Sequence, residues 1–276
     1  MFLPMKRIPL RYLVLTLLLS AANILYAQQS SVFPKNREKA VIKVPAKKFH
    51  LYLLAGQSNM AGRGIVAPQD TVGDPRILAL NRDGEWEIAK DPVHFDKTAA
   101  GVGPGLSFAR EMIKHDPDIV IGLIPCAAGG SGMDHWLNDH FWEQTRSYPW
   151  NNAIVRTRLA MKDGVLKGVL WHQGEADTAP EKAAAYSNNL VQLVTKFRQA
   201  FHTPDLPFVA GELPDFNKGS AAVNPTIYDA AKSLSFFTVV SGKGFTPLAD
   251  GVHIDAASQR MFGKRYAEAM GSLRKK

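Results

Sequence analysis

The sequence predicts an α/β fold of three layers, with a central parallel sheet of about five strands held between helices. Three observations lead there. Short runs that are apolar on both faces recur along the chain, as strands buried on both sides of a parallel sheet do. Helical patterns separate those runs. Polar residues with chemical potential cluster directly after the runs, where open α/β sheets place their ligands. A composition of 46% hydrophobic and 21% charged residues supplies one sizeable core and excludes collagen-like or wholly disordered chains.

The elements follow in order. Residues 1–27 read as a secretory signal peptide: Lys6, Arg7 and Arg11 are basic, residues 10–19 are mostly apolar, and small residues lead to a cut after Ala27. The apolar core is too short for a comfortable span, so no stable membrane insertion of the mature chain is expected. The mature protein is expected to be secreted or periplasmic. Residues 28–47, with Pro34 and Pro45, read as a loose polar leader, and residues 48–276 as the folded domain. The first strand is Phe49 with residues 51–54. Equivalent runs follow at 119–124, 165–171, 208–213 and 236–240. Helical patterns cover 106–112 and 153–161. Leu190, Val194, Phe197 and Phe201 step by four, three and four, one face of a long helix. A last helix carries Ala257, Met261, Phe262, Tyr266 and Ala269. Residues 63–100, with strand-like pieces at 77–80 and 86–88, read as an insertion or long loops.

Charge and cysteine narrow the partners. The net charge of +8 falls to +5 once the three basic residues of the signal segment are removed. No Lys/Arg cluster is interleaved with aromatics, so no nucleic acid partner is expected. The single cysteine excludes an internal disulfide framework and a cysteine-rich zinc site. Cys126 reads as a core thiol with nothing basic beside it. His135 and His140 lack further ligands at metal spacing, so neither metal nor cofactor is expected. Asp134, His135 and Trp136 are a sugar-contact candidate set against ordinary loop packing.

Four segments carry chemistry. The first strand runs into Gly56-Gln57-Ser58-Asn59-Met60, which puts Ser58 on a tight strand-to-helix turn with amides facing any developing negative charge. A helix-capping serine would look the same in isolation. Asp250 and His253 stand three apart before the last helix. A carboxylate there can orient the imidazole, leaving its far nitrogen for a serine hydroxyl. His172, Gln173, Glu175 and Asp177 crowd one strand end, which costs stability unless they are used or mutually satisfied. Gly101, Gly103 and Gly105 precede a helix and allow close backbone approach.

In this order the motifs resemble the SGNH hydrolase superfamily, a flavodoxin-like fold, and more narrowly carbohydrate esterase family six and the sialate O-acetylesterase domain. The segment 124–130 followed by Trp136 resembles that group as well. The resemblance implies a serine esterase that removes O-acetyl groups from an acetylated oligo- or polysaccharide. It implies Ser58 as nucleophile and His253 as base, with Gln57, Asn59, Gly103, Gly105 and Gln173 as oxyanion or substrate-binding residues. Gln57 replaces the Asp of the wider superfamily, and Gln173 and Glu175 stand where many members carry Asn and Asp; both departures are shared with the carbohydrate-esterase branch. Asp250 is the default partner of His253, and Glu175 is the alternative. Continuation as Met60-Ala61-Gly62-Arg63-Gly64 looks like the xylan-type branch, so acetylated xylan is expected ahead of acetylated sialic acid. A lipase or thioesterase would want an apolar lid. A sugar-binding module without activity would have no need of Ser58, Asp250 and His253 together.

Overall fold

The computed structural model describes residues 37–273. The predicted signal peptide and the first part of the leader lie outside the described residues. The sheet has seven strands in the order β3-β2-β4-β1-β5-β6-β7. At its centre is β1 (Phe49–Gly56), with all eight residues buried. It pairs in parallel with β4 (Val120–Pro125) on one side and β5 (Val165–His172) on the other. Beyond β5 follow β6 (Phe208–Gly211) and β7 (Phe237–Val240), again parallel.

The expected count of about five strands is corrected to seven. The pieces read as an insertion are β2 (Ile77–Leu80) and β3 (Trp86–Ile88). All four β2 residues are buried, so this run is apolar on both faces like the others and takes the place beside β4. The Asn81 side chain accepts the amides of Asp83 and Glu85, closing a short hairpin that turns β3 antiparallel. Part of the leader is also more ordered than a loose segment. The Ala40 amide donates to Trp86 and the Ile88 amide to Glu38, while Arg37 pairs with Glu87 at 2.8 Å. The chain from Arg37 thereby covers the edge of β3, an edge that would otherwise stand open to pairing.

Helices cover both faces. In chain order they are α1 (Ser58–Ala61), α2 (Pro104–His115), α3 (Met133–Leu137), α4 (Pro149–Ala160), α5 (Pro180–Ala200), α6 (Ser220–Ser233) and α7 (Ala256–Leu273). Alternate β1 side chains decide the layers. Phe49, Leu51, Leu53 and Ala55 join a core with α4, α5 and α6. Tyr52 and Leu54 join the opposite core, with Phe108 of α2 and Phe262, Tyr266 and Met270 of α7. The predicted stripe on α5 is buried, and Phe201 caps it one residue past the helix end. Truncating a residue such as Leu190 to Ala should cost about 2–5 kcal/mol. Ala257 and Met261 are the exceptions on α7: both are exposed, and the buried face uses Phe262 beside Met261.

This topology positions the site. From β1 the sheet is extended to β4 in one direction and to β5 in the other. The crevice beyond the C-terminal end of β1 is the place where such sheets bind ligands.

Candidate active site

Ser58 is the first residue of α1, straight after β1. The turn is possible because Gly56 sits at φ +127°, and any Cβ there would lie 2.0 Å from the His172 carbonyl oxygen. The Gln57 amide donates to that same carbonyl at 2.9 Å, which ties the turn to β5. As the first residue of a helix, Ser58 has an amide with no partner inside the helix.

The turn before α7 brings His253 to this serine. His253 Nε2 lies 3.1 Å from Ser58 Oγ, and Nδ1 lies 2.6 Å from Asp250 Oδ2. The other carboxylate oxygen of Asp250 accepts the amides of Val252 and His253, each at 2.9 Å. Partial burial acts to raise the Asp250 pKa. The bonds from the backbone and ring of His253 and from the Val252 amide outweigh it and hold the carboxyl below its ordinary value. Asp250 therefore stays ionised and presents an oriented imidazole to the hydroxyl.

Glu175 stands elsewhere. Its Oε1 accepts from Asn59 Nδ2 at 2.7 Å and lies 3.3 Å from His172 Nε2. It makes no bond to His253. Burial acts to raise its pKa, but the charge and hydrogen bond of His172 and the bond from Asn59 bring it below the ordinary value. Asn59 is fully buried and reaches on: its Oδ1 accepts the Ile254 amide at 3.0 Å, and its Nδ2 lies 3.4 Å from the Val252 carbonyl. Thus Glu175 meets the histidine turn through Asn59, not through the imidazole.

Ser58, His253, Asp250, Gln57 and Glu175 line a cleft of about 590 Å³ with Arg63, Lys97, Gln144, Gly129 and Gly130. Not every expected donor is there. Gln173 is fully buried, and its Nε2 faces Asp177 at 2.6 Å, Gln57 Oε1 at 3.3 Å and the Ser131 carbonyl at 3.3 Å, while Tyr186 donates to its Oε1. Its amide is engaged inside the protein, and Gln57 takes the cleft wall. Because Gln57 Oε1 is turned toward Gln173, the Gln57 Nε2 is left without a protein acceptor.

Gly103 and Gly105 also lie away from the cleft lining. Gly103 caps α2 and its amide serves the buried carboxyl of Asp91; its backbone packs so closely on Gly62 that a Cβ at Gly62 would meet it at 2.4 Å. Gly105 packs on Leu54. The loop after β4 supplies the glycines of the cleft instead. Gly129 donates to Asp96 at 2.9 Å, while the Gly130 amide meets no protein acceptor. The sequence signal for Gly130 is the Gly129-Gly130 pair in the loop after β4, within the segment 124–130 that resembles the esterase group.

Of the sugar-contact candidates, Trp136 and His135 resolve into packing, while Asp134 is exposed. Trp136 is fully buried against Trp171 at 5.1 Å, with its Nε1 donating to Ser131. His135 packs edge-on to Trp142, and Asp134 pairs with His140. Cys126 is buried as expected, but Arg156 does adjoin it. Burial dominates, and the thiol is pushed up to about 11.

The family model for carbohydrate esterase, sialic acid-specific acetylesterase, matches residues 48–272. A probable carbohydrate esterase of Arabidopsis thaliana is 30% identical over 254 residues, covering 84% of this chain and 94% of that protein. A crystal structure of an Arabidopsis thaliana protein superposes with a TM-score of 0.74 at 30% identity, over 83% of this chain and 99% of the other. NanS superposes at 0.65 with 19% identity, over 84% of this chain and 99% of its own. A carbohydrate acetylesterase from Xanthomonas citri superposes at 0.63 with 20% identity, over 81% and 56% of the two chains. The last two likenesses show the same fold.

Proposed function

Given that the chain belongs to the sialic acid-specific acetylesterase family of carbohydrate esterases, and is a carbohydrate acetylesterase, we propose that it hydrolyses O-acetyl esters on a xylan-type polysaccharide outside the cytoplasm, with Ser58 as nucleophile. The observation that carries this reading is the continuous hydrogen-bonded chain from Asp250 through His253 to Ser58 at the wall of an open cleft.

In the reaction, His253 Nε2 takes the proton of Ser58 Oγ as the oxygen attacks the acetyl carbonyl. The ionised Asp250 stabilises the imidazolium that forms. Negative charge gathers on the former carbonyl oxygen, and the unpartnered amides of Ser58 and Gly130 and the Gln57 Nε2 are the donors that suit it. His253 then returns the proton to the sugar oxygen, which leaves as a hydroxyl, and Ser58 holds the acetyl group. Water repeats the sequence with the same base and releases acetate. Every step uses side chains and amides of this chain.

Two features support a polymer substrate. The cleft is open, and Lys97 and Gln144 on its wall can hydrogen-bond the hydroxyls of a neighbouring sugar unit. The signal-like residues 1–27 suit an enzyme that meets polysaccharide outside the cell. The family description favours acetylated sialic acid as the second reading. Acetate release across a panel of acetylated xylan, xylo-oligosaccharides and acetylated sialic acids tests the assignment. Faster turnover of the sialate would replace xylan with the second reading.

A further inference from the structure

The cleft at Ser58 continues past its own rim. Lys97 and Gln144 line it and also line a neighbouring groove that runs over Arg82, Phe95 and Arg146 toward Arg156. Five cations border that groove: Arg37, Arg82, Lys97, Arg146 and Arg156. Asp96 is the one carboxylate among its described lining residues. Asp96 is already engaged, since its two oxygens meet Arg63 at 3.3 and 2.7 Å and it also accepts the Gly129 amide. Arg37 is matched by Glu87.

None of the remaining cations forms an ion pair among the described residues, and the only negative charge acting on Lys97 is Asp96, which Arg63 already holds. Arg82 donates to the Phe95 carbonyl. Lys97 donates to the neutral Gln144 at 2.6 Å. Arg156 is 7% exposed, donates to the Leu80 and Asn81 carbonyls at 2.7 and 2.9 Å, and leaves its Nε without any partner. A buried guanidinium without an anion is an unbalanced charge, and a ligand anion would relieve it. The Phe95 ring lies beneath both guanidinium groups, 5.3 Å from Arg82 and 4.9 Å from Arg156, and holds them side by side. Arg146 is presented from a tight turn at φ +51°, a conformation that costs a non-glycine residue some stability. Tyr148, half exposed beside Phe141, adds an aromatic face of the kind sugar rings stack on.

We propose that this groove is a carboxylate-binding subsite that takes the uronate of a sugar unit next to the acetylated one. The planar guanidinium fork matches a carboxylate with two hydrogen bonds. The groove shares only Lys97 and Gln144 with the cleft, so the anion lies beyond the unit whose ester is cut. The preferred substrate is then an acetylated polymer bearing uronic acids. This rests on the esterase reading above and adds the acidic character of the polymer.

The test compares acetyl-glucuronoxylan with the same polymer after its carboxyl groups are reduced to alcohols. Hydrolysis of a small acetate ester, run alongside, reports separately whether the esterase reading holds. Wild type should favour the acidic polymer by about tenfold in kcat/KM, mostly through KM, and raised salt should erode the preference. The double variant Arg82→Gln/Arg146→Gln, changed at two exposed residues, should bring the ratio of acidic to reduced polymer near one. De-acetylated glucuronoxylan fragments should inhibit wild type more strongly than reduced fragments, which needs no variant at all. Equal rates on the two polymers, or an unchanged ratio in the double variant, would overturn the proposal. So would an equal loss on monomeric O-acetylated sialic acid, because the carboxylate would then belong to the acetylated unit itself.

Discussion

Glu175 Oε1 accepts the Asn59 side-chain amide at 2.7 Å, and Asn59 in turn holds the Ile254 amide one residue beyond His253. The residue after the nucleophile and the residue after the base are thereby joined by one buried carboxamide. Glu175 acts at one remove from the imidazole, and that gives a prediction. Asp250→Asn should lower kcat by about 10³ to 10⁴, since it leaves His253 without an ionised partner. Glu175→Gln should cost far less, on the order of tenfold, because only the aim of the turn is loosened. Steady-state kinetics of the two single variants and the double variant decide this. A dead Glu175→Gln beside a nearly normal Asp250→Asn would reverse the roles.

Both glutamines of the site are buried, and they separate by what their side-chain amides meet. Gln57 lines the cleft with a free Nε2, while Gln173 is enclosed and bonds Asp177. Gln57→Ala should lower kcat by about 10² with a small change in melting temperature, as loss of one oxyanion donor does. Gln173→Ala should instead lower stability by about 1–3 kcal/mol, because Asp177 and Tyr186 lose a buried partner. Kinetics and thermal melts on both variants check the split. A Gln173→Ala variant of full stability and poor kcat would return the donor role to Gln173.

Asp91 makes stability depend on pH. Burial first, and then the charge of Asp70, raise its carboxyl from 3.8 to about 8, against the opposing Gly103 amide. Between those values the folded chain holds a proton that the unfolded chain has released, so stability falls as pH rises across the window. Full stabilisation is present only below the unfolded value and is lost as pH passes the folded one. Asp91→Asn keeps the shape without the charge. Its melting temperature should exceed wild type by more at alkaline pH than at mildly acidic pH. A gap that stays constant from pH 5 to 9 would contradict the assignment.

Cys126 should be inert in the folded protein. Its thiol is pushed up to about 11 by burial, which Arg156 does not offset. A thiolate-directed reagent at neutral pH should label it only after denaturation. Rapid labelling of the native chain would mean that the wall formed by Cys126 and Arg156 is open.

Much of this was legible in the sequence because it depends on neighbours in the chain. β1 reads as a buried strand from its own residues, Ser58 follows it directly, and Asp250 and His253 share one turn. What escaped depends on meetings between distant segments. Residues 77–80 read as a strand-like piece of an insertion or long loop, because their short length and the polar hairpin after them hide their place beside β4. Whether Gln57 or Gln173 faces the cleft turns on the buried carboxylate of Asp177, which no local pattern reveals. Gly103 and Gly130 look alike as glycines before a helix or turn. Only the fold shows that one amide serves Asp91 and the other meets the cleft. Trp136 resembled a sugar platform and proved to be core, since a tryptophan alone does not say which side of the chain faces water.

The central claim is that Ser58 carries the acetyl group. The most direct measurement is labelling with a serine-directed phosphonate followed by peptide mass spectrometry. The account predicts one adduct, on Ser58, with its formation abolished in His253→Ala and acetate release lost in Ser58→Ala while the fold is kept. Label on another residue, or substantial acetate release by a folded Ser58→Ala variant, would contradict it.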